Sequence, residues 1–74
     1  GVELYPNPAN SVVNVKTDVL FETLEVTNML GQLIYSAPVT GNQFQINISG
    51  YNAGVYFIKL SGSAGSAVKK VVKN

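Results

Sequence analysis

The stretch Gln43-Phe44-Gln45-Ile46-Asn47-Ile48 decides how the rest of the chain is read. Polar and apolar residues alternate strictly, which is the period of a strand with one wet face and one buried face. Working outward, the same spacing of two recurs in short runs separated by clusters of Gly, Asn, Pro and Ser. That is the strand-and-turn grammar of an all-β fold. Seven strands are predicted: Val2 to Tyr5, Val12 to Lys16, Glu22 to Asn28, Leu33 to Ala37, Gln43 to Ile48, Val55 to Ser61 and Ala67 to Lys73. The sixth differs from the fifth. Val55 and Phe57 fall on one face while Tyr56, Ile58 and Leu60 fall on the other, which predicts a central strand covered on both sides.

A helix over Asp18 to Leu30 is the competing reading, because Leu20 and Leu24, then Val26, Met29 and Leu30, stand at helical spacings behind Asp18 as a cap. Against it, Thr23, Val26 and Thr27 are β-branched, and Asn28 to Gly31 reads as a hairpin turn with Gly31 in the left-handed position. Regular short strands with turns between them predict a two-sheet, immunoglobulin-like β-sandwich, mainly antiparallel and formed by residues 1–74 as a single domain. Ser61 to Ala67, with Gly62 and Gly65 among small residues, reads as a flexible loop.

A domain of 74 residues buries only roughly 60% of the surface of its unfolded chain, and its core rarely supplies more than about 3 to 5 kcal/mol. With no Cys and no His, the chain has neither disulfides nor the usual zinc ligands to add. Packing must suffice: 46% of residues are apolar, with Val the commonest, and only 12% are charged, against about 25% in an average domain. A net charge of +1 gives no electrostatic case for nucleic acid, which needs a clustered basic face. No apolar run reaches the roughly 18 residues of a membrane span. The chain opens at Gly1 rather than Met and shows no signal-peptide pattern, so the expectation is a part of a longer polypeptide with any export signal upstream.

The same composition argues against an enzyme. Without His the serines lack an imidazole base, and without Cys there is no thiol nucleophile. Glu22 and Glu25, three apart on a strand, point to opposite faces and read as solvated charges rather than an acid and base pair. Glu3 and Asp18 are the other carboxylates, too few for a convincing calcium loop, and the Gly62 to Gly65 stretch lacks the lysine of a phosphate loop. No catalytic residue, metal or cofactor is therefore expected. Asn47-Ile48-Ser49 fits the N-glycosylation sequon but lies in the cleanest strand, where a cross-strand polar role is the simpler reading.

Three signatures remain. In Tyr5-Pro6-Asn7-Pro8 the prolines fix two φ angles, push Tyr5 and Asn7 towards extended backbone and make a stiff lead-in to the domain. Gly54, ahead of an apolar strand, suits positive φ or a close backbone approach, and Tyr56 carries a phenol to the core or its rim, where the hydroxyl needs a partner. Lys69, Lys70 and Lys73 on the last strand suit edge protection.

In this order, Tyr5-Pro6-Asn7-Pro8-Ala9, Asn28-Met29-Leu30-Gly31-Gln32, Gly54-Val55-Tyr56-Phe57-Ile58-Lys59 and Lys69-Lys70-Val71-Val72 closely resemble the type A C-terminal sorting domain of the bacterial type IX secretion system, from Leu4 to Lys73. The resemblance implies a β-sandwich at the carboxyl end of a secreted or surface protein of Bacteroidetes-type bacteria. Cargo upstream in the same polypeptide would cross the periplasm, and an outer-membrane translocon would recognise the domain. In many members a sortase removes it and joins the cargo to anionic lipopolysaccharide. By position, the motif residues are Pro6, Asn7, Pro8, Gly31, Gly54, Tyr56, Lys59, Lys69 and Lys70. The runner-up is a sandwich of the adhesive kind that binds carbohydrate or protein, for which Tyr5, Tyr35, Tyr51 and Tyr56 are the available aromatics.

Overall fold

A computed structural model describes residues 1–74 and contains seven strands and no helix. They are β1 (Val2–Tyr5), β2 (Val12–Thr17), β3 (Thr23–Asn28), β4 (Leu33–Pro38), β5 (Gln43–Asn47), β6 (Gly54–Gly62) and β7 (Gly65–Lys73). Two sheets form, one ordered β1-β2-β5 and the other β4-β3-β6-β7, and every ladder is antiparallel. The expected immunoglobulin-like β-sandwich is the observed architecture. The helix over Asp18 to Leu30 is replaced by a sheet-to-sheet connection followed by β3, whose alternation buries Leu24 and Val26 and leaves Thr23 exposed.

The core follows from the period of two. Val13 and Val15 of β2 and Ile46 of β5 face Leu24 and Val26 of β3, Ile58 and Leu60 of β6, and Val71 of β7 in one cluster joined by Ala9, Phe21, Ile48 and Tyr56. Each large apolar side chain removed from water contributes roughly 1.5–3 kcal/mol relative to exposure. No buried side-chain polar atom lacks a hydrogen-bond partner; Thr17, for example, is buried and donates its hydroxyl to the Val19 carbonyl at 2.7 Å. Both conditions matter in a domain with no covalent cross-link.

Three sequence readings need correction. First, β6 is central within its sheet but not covered on both faces. Tyr56, Ile58 and Leu60 are buried, whereas Val55 and Phe57 are only half-buried and Lys59 is exposed, because a sandwich of two layers covers each sheet from one side only. Second, Ser61 to Ala67 is not a flexible loop. The β6–β7 ladder runs through Ser61↔Ser66 and Gly62↔Gly65 and turns on Ser63 and Ala64 alone, so the small residues serve a tight hairpin. A Cβ on Gly62 would meet the Glu22 backbone nitrogen at 3.3 Å and the Phe21 Cα at 3.4 Å, a close backbone approach that favours glycine. Third, Asn47 closes the β5 ladder opposite Val12, and its side chain turns to Ser49 rather than across to β2. Its Oδ1 accepts from the Ser49 N–H at 3.0 Å and the Ser49 hydroxyl at 2.7 Å, an Asx turn that stops the strand.

Candidate recognition surface

The prolines at positions 6 and 8 place Asn7 between two fixed backbone units, and both the Tyr5–Pro6 and Asn7–Pro8 peptide bonds are cis. This segment is more than a stiff lead-in. The Asn7 side chain lies along the outer edge of β7, where Nδ2 donates to the Lys70 carbonyl at 3.0 Å and Oδ1 accepts from the Val72 N–H at 3.0 Å. A primary amide offers one donor and one acceptor side by side, as a neighbouring strand does. Two residues on, Ala9 is fully buried; its N–H donates to the Val72 carbonyl at 2.8 Å and its carbonyl accepts from the Asn74 N–H at 2.9 Å. The lead-in is thus a strap that closes one half of an edge strand.

Gly54 opens β6 beside Lys73, at φ 150°, in a region that favours glycine. Two residues later Tyr56 turns into the core between Asn28 of β3 and Val71 of β7. Its hydroxyl donates to the Asn52 carbonyl at 2.7 Å, so the partner that a buried phenol needs lies on the loop leading into its own strand. The Tyr51 ring stands 5.1 Å from that of Tyr56 at 44°. Burial pushes the Tyr51 phenol above its usual pKa, with Tyr35 and Tyr56 adding to the shift.

Gly31 occupies the expected left-handed position, φ 81°, in the β3–β4 turn. What the sequence reading missed is that Asn28 organises this turn. Asn28 Oδ1 accepts from the Leu30 N–H at 2.9 Å and the Gln32 N–H at 3.0 Å, while Nδ2 donates to Gln32 Oε1 at 2.8 Å. Asn in a turn was the available signal, and its partners lie only two and four residues on, ahead of β4. Because Asn28 pairs with Tyr56, Tyr56 with Val71 and Gly54 with Lys73, these three motifs and the strap gather at one end of the four-stranded sheet.

The lysines do not form a single patch. Lys70 pairs with Phe57 and Lys59 with Glu25 and Val68, all on the outer face of the sheet. Lys69 pairs with Ile58 and so projects from the opposite face. As to the tyrosines, Tyr56 is buried and Tyr51 half-buried, and the two more exposed rings, Tyr5 and Tyr35, belong to different sheets. Tyr5 and Tyr35 therefore do not share one sheet face.

Over 63 residues, 82% of this chain, the sequence is 32% identical to "Beta-agarase A" of Zobellia galactanivorans. The matched stretch is 12% of that protein's length, so the chain spans about an eighth of it and most of the agarase lies outside the comparison. A family model described as a secretion system C-terminal sorting domain matches residues 3–74. It takes in the Pro-Asn-Pro strap, the Asn28 turn, the Gly54 and Tyr56 strand and the terminal lysines together, and the chain accordingly belongs to this family of type IX secretion sorting signals.

Proposed function

We propose that the domain acts as a folded address, read by its surface, that directs an upstream cargo through the outer-membrane translocon of the type IX system. The cargo crosses the periplasm, reaches the medium or the cell surface, and in the attached case a sortase removes the address and couples the cargo to lipopolysaccharide. Membership of the sorting family along residues 3–74 is the observation that carries this reading. The agarase likeness supports it: a stretch of 12% of a large protein is what a small tag on a longer cargo would occupy. The domain itself performs no chemistry in this scheme.

Recognition in this reading uses the outer face near the last two strands, where Lys59 and Lys70 flank the half-buried Phe57. Acidic groups on the machinery would pair with these exposed ammonium groups, and Lys69, projecting from the other face, would contribute less. The test replaces Lys59 and Lys70 together with Ala, and Lys69 with Ala separately, in a cargo fusion whose melting curve is checked first. Export should fall for the Lys59→Ala, Lys70→Ala protein and hold for Lys69→Ala; undiminished export of the double variant would remove these lysines from the mechanism.

A further inference from the structure

The two sheets differ by one strand, and the difference leaves a place unfilled. β1 lies against β7 at one side of the sandwich. From that corner the orders β1-β2-β5 and β7-β6-β3-β4 run across the molecule together, so β5 lies over β3 and no strand lies over β4, whose Ala37 still packs on the core at one end. The side chains agree. Tyr35 of β4 is the register partner of Val26 and shares its inward face, yet Val26 is 0% exposed and Tyr35 is 47% exposed. Tyr51, half-buried against the core with its ring 5.1 Å from that of Tyr56, has its pKa raised by burial, with the Tyr35 phenol adding to the shift.

The edge of β5 that borders this space is unpaired. At one end Thr17 N–H donates to the Asn42 carbonyl, and at the other Ile48 N–H donates to the Ser11 carbonyl. These two bonds phase the antiparallel ladder: Phe44 and Ile46 turn their backbone groups to β2, while Gln43, Gln45 and Asn47 turn theirs outward. All three outward residues are exposed. Unlike β7, this edge carries no lysine, no strap and no proline. No charged side chain occurs anywhere between Glu25 and Lys59, a span that includes all of β4 and β5.

We propose that the free edge of β5, over the uncovered inner face of β4, is an acceptor site for one extended, uncharged partner strand with apolar side chains at alternate positions. The added strand would pair with Gln43, Gln45 and Asn47 through its backbone, set its apolar side chains on Tyr35 and Tyr51, and turn a four-on-three sandwich into four-on-four. Width and charge together fix the occupant. The sheets of a sandwich stand about 10 Å apart and strands about 4.8 Å apart, so the gap opposite β4 is one strand wide. Antiparallel pairing of two copies through β5 would drive the second copy's four-stranded sheet into β4, which excludes an intact second domain. A strand with charges on its inward face would strand them against Tyr35 with no partner. This inference stands apart from the sorting reading, since it follows from the sheet orders, the ladder phase and the side-chain exposure.

The test titrates the isotope-labelled 74-residue chain with the capped peptide acetyl-Thr-Val-Thr-Val-Thr-Val-Thr-amide, followed by amide and ring chemical shifts. Binding is expected to shift the Gln43, Gln45 and Asn47 amides and the Tyr35 ring, and to slow hydrogen exchange at those amides. Gln45→Pro, which removes an outward N–H and the side-chain bond to Asn14 Oδ1 but no backbone bond to β2, should weaken binding about tenfold or more. Tyr35→Lys, a change at a half-exposed position that leaves the backbone edge intact, should weaken it similarly and covers the case in which the proline variant does not fold. A peptide with Lys in place of Val should not bind. Absence of binding, shifts that map instead to β4 or β7, full affinity in a folded Gln45→Pro chain, or self-association through β5 would each overturn the proposal.

Discussion

Asn7 shows how a single residue type is selected by the job it does. Its amide closes two backbone groups of β7 that the strap's own backbone, held by Pro6 and Pro8, does not reach. Both hydrogen bonds are solvent-exposed, and each is worth roughly 0.5–1.5 kcal/mol, so Asn7→Ala should lower stability by about 1–2 kcal/mol. Asn7→Asp should cost at least as much, because a carboxylate has no donor for the Lys70 carbonyl and repels it. Urea unfolding of the two variants checks both figures; a Asn7→Asp midpoint equal to that of the parent would contradict the arrangement. Gly54 is a second such residue. No heavy atom lies within 4 Å of the Cβ it lacks, so the cost of a side chain there is backbone cost alone. At φ 150° a β-branched residue is strained, and Gly54→Val should cost well over about 1 kcal/mol, a large share of a small domain's stability. An unchanged melting curve would show that the position tolerates any residue. The sequence pointed to Gly54, Gly31 and a structural Tyr56 because each acts through its own backbone or near neighbours. Asn7 was legible only as a turn residue, since its partners lie 63 and 65 residues away.

At the level of elements, the legible part was the pattern and the illegible part was the pairing. Strict alternation in Gln43 to Ile48 and β-branching in Thr23 to Thr27 located strands to within one or two residues of those observed. Alternation, however, says which residues share a face and not whether anything covers that face. Val55 and Phe57 therefore looked buried, and the small residues from Ser61 to Ala67 looked loose although they form the tightest hairpin in the fold. Edge strands carry the consequence for dynamics. Along β7, Val72 and Val68 turn the same way, outward from β6, four residues apart. The Val72 N–H is held by Asn7, whereas Val68 lies beyond the strap and its side chain is 57% exposed. Hydrogen exchange should therefore be slow at Val72 and fast at Val68, and Asn7→Ala should release Val72 towards the Val68 rate. Equal protection at both positions in the parent chain would mean that the strap does not govern this edge.

Taken whole, the molecule is a rigid shape assembled from apolar packing and backbone pairing, with its Cα radius of gyration, 11.3 Å, at the about 11 Å expected for a compact chain of this length. Rigidity without a cofactor or a disulfide suits an address that must fold the same way behind any cargo. It also makes the address fragile, because one or two of the residue-scale losses above would exhaust the stability available to so small a core. Strap and edge variants should accordingly lose export in proportion to their loss of folding, while the Lys59→Ala, Lys70→Ala double variant should lose it without unfolding. The most direct measurement of the central claim joins these 74 residues to the carboxyl end of a periplasm-directed fluorescent protein in a cell with a working type IX system. The reporter should reach the surface or the medium; a correctly folded fusion that stays in the periplasm would contradict the sorting role.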